Sequence, residues 1–266
     1  MNPSEIRELL SRHGVRPSKA LGQNFLTDEN TARRIVRLAE VQPGDRVVEV
    51  GPGLGSLTVA LVGAGAHVRA IELDRHLVPI LTNVVEGLDV EVVEADALRV
   101  DWNEQLGAGP WVMVANLPYN VGTPLVVTVL ETAPMITRLL VMVQREVGER
   151  MAAHAGDDAY GAMSVKVAYY AEATVVGSVS PNVFVPKPNV ESALVRLVRH
   201  AVPPVPVRDV DGMFDLVRAG FATRRKTLRN TLQGRVDADR FVRAGIDPQA
   251  RAETLGLADW ARLSDA

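Results

Sequence analysis

Short apolar runs alternate with amphipathic stretches along most of this chain. Val47-Val48-Glu49-Val50, His67 to Leu73, Val90 to Val93, Trp111 to Ala115 and Leu139 to Val143 are rich in β-branched residues and too short for buried helices. They read as strands buried on both faces. Leu57 to Val62, Leu77 to Val85 and Leu125 to Leu130 read as the helices between them. Strand–helix alternation at this spacing predicts right-handed βαβ units and an α/β, doubly wound, mostly parallel sheet. Ser4 to His13 predicts a leading helix with Ser4 as its N-cap. Thr27-Asp28 opens a second, which Pro43-Gly44 stops. Ala162 to Ala171 reads as a further helix, and Thr174 to Val179 and Ala193 to Val198 as two closing strands. Pro181, Pro186 and Pro188 lie between those strands, which suits a hairpin at the sheet edge. These two bring the predicted strands to seven.

After the linker-like Ala201-Val202-Pro203-Pro204-Val205-Pro206 the pattern turns helical: Met213 to Phe221, Thr227 to Leu232, Phe241 to Ala244, and short pieces from Ala250 to Leu263. The expected division is therefore a catalytic domain over 1–202 and a small all-α domain over 203–266. No acid lies between Asp215 and Asp237, whereas Arg218, Arg224, Arg225, Lys226, Arg229 and Arg235 are all basic. Taken alone, such a run is as readily a solvated face as a binding patch.

Composition narrows the class. The 266 residues suffice for a full α/β core, and 47% hydrophobic with 23% charged is ordinary for a globular protein. No apolar run reaches membrane-spanning length, and Met1-Asn2-Pro3-Ser4-Glu5 does not resemble a signal peptide. With no Cys there is neither a disulfide nor a Cys-based zinc site. The five His residues have no metal-ligand spacing, so no metal is expected. These features fit a cytoplasmic location. A net charge of −3 confines any nucleic-acid contact to a local patch.

Candidate chemistry collects at the ends of the strands. Gly51, Gly53 and Gly55 follow the first strand at alternate positions. A dinucleotide fingerprint would need its third glycine at position 56, where Ser56 stands. The G-x-G-x-G spacing resembles the S-adenosylmethionine (SAM) loop of class I methyltransferases, while a dinucleotide site and a turn without ligand stay open. Glu72 ends the second strand, where an acid can accept from ribose hydroxyls. Asp96 ends the third, where a carboxylate can accept from an adenine amino group. Asn116-Leu117-Pro118-Tyr119 follows the fourth. An exocyclic adenine amine is a poor nucleophile, because its lone pair is delocalised into the ring. Acceptors aimed at its N–H groups stabilise the charge that develops in attack, and the Asn116 carbonyl and the Leu117 backbone C=O can serve. Pro118 fixes the backbone and Tyr119 offers a stacking face.

Gly51 to Thr58, Glu72, Asp96 and Asn116-Leu117-Pro118-Tyr119-Asn120 together resemble the ribosomal RNA adenine N6,N6-dimethyltransferase family. Leu21-Gly22-Gln23-Asn24-Phe25-Leu26 is similar to the family's N-terminal cofactor motif. Phe184-Val185-Pro186-Lys187-Pro188-Asn189-Val190-Glu191-Ser192 is similar to its F-x-P-x-P-x-V-x-S motif, and Phe221 to Asn230 to its basic C-terminal helix. The match runs from about Lys19 to about Leu257 and is nearest to the bacterial small-subunit type.

The resemblance implies SAM as cofactor, held by Gln23, Asn24, Leu26, Gly51, Gly53, Glu72, Leu73, Asp96, Ala97 and Asn116. It implies catalytic roles for Asn116 and Leu117, with Tyr119 and Phe184 sandwiching a flipped adenine. Arg224, Arg225, Lys226 and Arg229 would hold RNA phosphates. The expected product is N6,N6-dimethylation of two adjacent adenines near the 3′ end of 16S rRNA. The expected partner is the small ribosomal subunit as an assembly intermediate, and the expected oligomeric state is a monomer. His154 to Ala159 departs from the family pattern: Asp157 and Asp158 stand where relatives tend to be more basic. The alternatives are a 23S rRNA resistance dimethylase, an assembly factor that methylates secondarily, and a nicotinamide dehydrogenase, which the Gly55-Ser56 spacing disfavours.

Overall fold

The computed structural model describes residues 1–18, 21–118 and 121–266. In chain order it contains α1 (Pro3–Arg12), β1 (Phe25–Leu26), α2 (Glu29–Leu38), β2 (Arg46–Val50), α3 (Ser56–Gly63), β3 (His67–Glu72), α4 (Val78–Val84) and β4 (Val90–Glu94). There follow α5 (Trp102–Leu106), β5 (Trp111–Asn116), α6 (Gly122–Thr132), β6 (Ile136–Gln144), α7 (Arg145–Ala152), α8 (Ala162–Tyr170), β7 (Ala171–Val179), β8 (Phe184–Val185) and β9 (Ser192–Arg199). The chain ends with α9 (Val210–Phe221), α10 (Leu228–Thr231), α11 (Ala238–Ala244) and α12 (Leu257–Asp265). No helix among the described residues is long and apolar enough to cross a membrane.

Seven strands form one sheet in the order β4-β3-β2-β5-β6-β9-β7. The pairs β2/β3, β3/β4, β2/β5 and β5/β6 are parallel, and β9 joins β6 antiparallel. The chain winds outward from β2 to β4, then returns to β5 on the other side of β2. That reversal opens a crevice beyond the carboxyl ends of β2 and β5, where ligands of open α/β sheets bind. The mostly apolar middle strands explain the burial. Val47, Val48, Met113, Val114, Leu139 and Val141 are at most 1% exposed, as strands covered on both faces require.

The chain divides into two compact units, one of residues 1–148 and 174–199, the other of 149–173 and 200–266. The second unit is therefore larger than the expected 203–266. Residues 149–173 belong with it because Tyr160, Val165 and Tyr169 are buried in one apolar cluster with Phe214, Phe241 and Trp260. Tyr160 also donates its hydroxyl to Leu255 O at 2.9 Å. A Cβ at Gly220 would run into the Trp260 ring, so that helix contact tolerates no side chain there.

The first helix begins earlier than expected. Asn2, not Ser4, is its N-cap. The Asn2 side chain accepts from Ser4 N and Glu5 N, and Glu5 accepts from Asn2 N at 2.8 Å. Pro3, with φ preset and no N–H to lose, is suited to the first helical position. Ile6 and Leu10 of α1 pack with Phe25, Leu54, Leu77 and Ile80. This cluster lies against the glycine loop that follows β2. Helices α5 and α7 and the two-stranded β1–β8 sheet were not anticipated.

Candidate active site

The crevice at the switch point is a cleft of about 1170 Å³ measured out to solvent, lined entirely by the first unit. Its floor is the glycine loop. Gly53 has φ +59° and Gly55 φ +86°, a region open to glycine at little cost. A Cβ on Gly53 would stand 3.0 Å from the Phe25 ring, and one on Gly55 2.9 Å from Leu81 Cδ1. Both positions therefore need glycine for conformation and for space. At Gly51 the nearest group to an added Cβ would be Asn116 O at 3.8 Å, so the bare backbone there faces the top of β5.

Two carboxylates stand where the strand ends predict. Glu72 is 6% exposed and accepts from Gly53 N at 3.0 Å and from Asp74 N at 2.9 Å. One backbone donor per oxygen leaves each oxygen a lone pair for a ligand hydroxyl. Burial pushes this carboxyl up, against the pull of the backbone donors. Asp96 accepts from Leu98 N at 3.0 Å. Beside these acids Leu73 is 54% and Leu98 36% exposed, an apolar surface within the cleft suited to a purine face. Ala97 is buried in the same wall. Leu98 was not anticipated; an apolar residue two after a strand-end acid was its only signal.

Asn116 is set by the N-terminal motif. Its carboxamide nitrogen donates to Asn24 O at 3.1 Å. A carbonyl can only accept, so the amide group must present NH₂ there, which leaves Oδ1 as its acceptor. Leu117 N donates to Met142 O at 3.1 Å, which anchors the turn after β5 to β6. Asn24 is held by its own side chain, which donates to Gly22 O at 3.0 Å. Gln23 braces the same loop: its amide donates to Asp74 at 2.8 Å and accepts from Ser18 N at 2.8 Å. Phe25 and Leu26 pair antiparallel with Val185 and Phe184. The N-terminal motif and the F-x-P-x-P motif are thus joined as β1 and β8. Phe184 lines the cleft but is only 4% exposed, packed into the central core. Tyr119 lies outside the described residues.

Electrostatics distinguish the ligand classes. Glu49, Glu72 and Asp96 line the cleft, and no Lys, Arg or His among the described residues does. Among the described lining residues a pyrophosphate would meet three carboxyls and no cation, which counts against a dinucleotide. A cationic sulfonium ligand suits the same wall. The bare Gly51 backbone, the Glu72 lone pairs and the Leu73–Leu98 surface fit the methionine, ribose and adenine parts of SAM. Glu49 was not anticipated, although an acid inside the apolar run of β2 is itself a signal. It is 1% exposed, its Oε2 has no hydrogen-bond partner, and desolvation pushes it up to about 8.

In the second unit, Arg224, Arg225, Lys226 and Arg229 are all exposed. Arg224 is partly committed within that unit. It donates to Asp158 O at 2.7 Å and stands 3.7 Å from the Glu253 carboxylate. The acidic loop closes on itself through His154 N donating to Asp157 at 2.8 Å, and Gly156 N donates to Glu253 O at 3.0 Å. No ion pair among the described residues involves Arg225, Lys226 or Arg229.

A seven-stranded, mostly parallel sheet with an acid-lined glycine loop at its switch point defines a Rossmann-like, SAM-dependent methyltransferase. Residues 15–266 match the profile of the ribosomal RNA adenine dimethylases, and the chain belongs to that family. As a member it is an enzyme that uses SAM to methylate adenine in ribosomal RNA. It is 47% identical to the ribosomal RNA small subunit methyltransferase A of Thermobifida fusca, over 100% of this chain and 95% of that one. It is 46% identical to the protein of the same name from Streptomyces griseus, over 100% and 94%. Two solved structures share the architecture. The 23S rRNA methyltransferase ErmE superposes with a TM-score of 0.71 at 28% identity, covering 91% of this chain and 98% of that one. A dimethyladenosine transferase from Plasmodium falciparum gives 0.76 at 25% identity, covering 90% and 95%.

Proposed function

We propose that the enzyme dimethylates N6 of two adjacent adenines near the 3′ end of 16S rRNA. It acts as a monomer in the cytoplasm, on the small subunit during its assembly. High identity to small-subunit methyltransferases along the whole chain supports this target over 23S rRNA. The first unit is the catalytic body and the second carries the RNA contacts.

The observation that carries the chemistry is the Asn116 carboxamide, whose NH₂ is committed to Asn24 O, which leaves Oδ1 as the group's acceptor. SAM, when bound, supplies a methyl group on a positively charged sulfur. Every other element comes from the chain. Glu72 accepts from the ribose hydroxyls. Asp96 would accept from the cofactor's adenine amine, and Leu73, Ala97 and Leu98 would offer its ring an apolar surface. Gly51, Gly53, Asn24 and Leu26 shape the rest of the cofactor bed, and Gln23 holds their loop. Asn116 Oδ1 and the Leu117 carbonyl accept from the N–H groups of the target amine. As the nitrogen attacks in line it gains positive charge, and these acceptors bind it more tightly then than before attack. No side-chain base is required, since the proton is lost after transfer. Tyr119 and Phe184 hold the flipped base, and proximity supplies much of the rate. Repetition on the same amine gives the dimethyl product.

Incubation with labelled SAM and each purified, undermethylated ribosomal subunit tests this reading. Label entering small subunits alone is expected. Label entering large subunits alone would instead favour the resistance-type activity.

A further inference from the structure

Glu49 is a buried carboxyl for which the chemistry above has no use. It sits in β2 beneath the glycine loop and lines the cleft. Among the described residues, Glu49 Oε2 and Ser56 Oγ near this loop lack a hydrogen-bond partner. A buried carboxylate with one oxygen unpartnered is costly, so the group keeps its proton. Desolvation raises it to about 8, and the nearby Glu72 charge adds to the rise while the Thr58 hydroxyl opposes it. The groups facing it are few. Glu72 comes from β3, and Asp96 after β4 lines the same cleft. The adjoining β5 and α3 bring no titratable side chain.

SAM carries a single net positive charge, its amino-acid end being a zwitterion. Its demethylated product, S-adenosylhomocysteine, is neutral overall. Where no basic side chain among the described residues lines the cleft, that difference acts directly on a neighbouring buried carboxyl. We propose that Glu49 makes the cleft sense the charge of its occupant, releasing its proton to solvent when SAM enters and keeping it when the neutral product is bound. The O–H bond of Glu49 breaks and the proton leaves to water; no other group changes state. The carboxylate then serves as counter-charge to the cofactor, and its reprotonation after transfer weakens the hold on the product. Glu49 is thereby a residue that discriminates cofactor from product. This rests on the cleft being the SAM site.

Calorimetric titration of the full-length protein with SAM, and separately with S-adenosylhomocysteine, tests it in two buffers of different ionisation enthalpy near neutral pH. The SAM enthalpy should depend on the buffer, reporting release of a large part of a proton, and that of the product should not. SAM affinity should rise by up to about tenfold per pH unit between about pH 6 and pH 8, with product affinity nearly flat. Glu49→Gln should abolish both the buffer dependence and the pH slope while still binding SAM. A buffer-independent SAM enthalpy, or equal proton release with both ligands, would overturn the proposal even if the variant failed to fold. The same release from a folded Glu49→Gln would also overturn it, by assigning the proton elsewhere. If neither ligand bound, the cofactor site itself would be misplaced and this inference would go with it.

Discussion

Glu49→Gln should stabilise the free protein, and more so as the pH rises. The native carboxyl sits near 8, against an ordinary value of 4.5. Between those values the folded chain holds a proton that the unfolded chain has lost. A raised carboxyl therefore contributes fully below the unfolded value and loses that contribution as the pH climbs to the folded one. Each pH unit in this window costs about 1.4 kcal/mol, so the parent loses about 2–3 kcal/mol between about pH 5 and pH 7. Gln is nearly isosteric with the protonated carboxyl and cannot ionise, so the variant escapes that loss. Thermal unfolding of parent and variant at both pH values is the assay. Similar stability near pH 5 is expected. Near pH 7 a variant advantage of several degrees is expected, at roughly 2–4 °C per kcal/mol for a unit of this size. Saturating SAM should shrink the advantage, because it binds the ionised parent more tightly. An advantage equal at both pH values would refute the reasoning, since it would mean that Glu49 is ionised in the native state throughout.

Three further outcomes follow from the site. Glu72→Ala should weaken SAM binding by about 10–150-fold, the loss of charge-assisted hydrogen bonds, as read by calorimetry on a folded variant; unchanged affinity would remove Glu72 from the site. Asn116→Ala should slow single-turnover methyl transfer by about 10²–10³-fold with SAM and RNA saturating, and leave RNA binding nearly intact. Asn116→Asp, which keeps an acceptor, should fall between. Reversing Arg225, Lys226 and Arg229 to Glu should weaken subunit binding and lower its salt slope by about one for each phosphate no longer neutralised, with SAM affinity unchanged. A filter-binding series over salt concentration that kept the parental slope would make that surface a solvated face only.

The sheet was legible because its central strands are buried on both faces, which leaves unbroken apolar runs such as Trp111 to Ala115. The candidate site at the strand ends was legible because few residue types suit those positions, as with Gly53, Glu72 and Asn116, which line one cleft. What escaped has local causes. Strands β1 and β8 are two residues each, Phe25–Leu26 and Phe184–Val185, too short for any periodicity and formed only by pairing between distant parts of the chain. Helix α5 is five residues long, but Asp101 caps it and Glu104 lies in its first turn, a signature that could have been found. The division into compact units differs from the expected break because Pro203 and Pro204 mark a change in local pattern, whereas Tyr160 and Tyr169 join their cluster by three-dimensional packing. Glu49 is masked in the pattern by the apolar run around it. Its isolation among valines was the clue.

Mass spectrometry of the 3′-terminal fragment of 16S rRNA, after reaction of undermethylated small subunits with SAM and the enzyme, tests the central claim most directly. N6,N6-dimethyladenosine at two neighbouring positions, absent when SAM is withheld, is the predicted result. Methyl groups at other atoms, at single scattered adenines, or on 23S rRNA instead would contradict it.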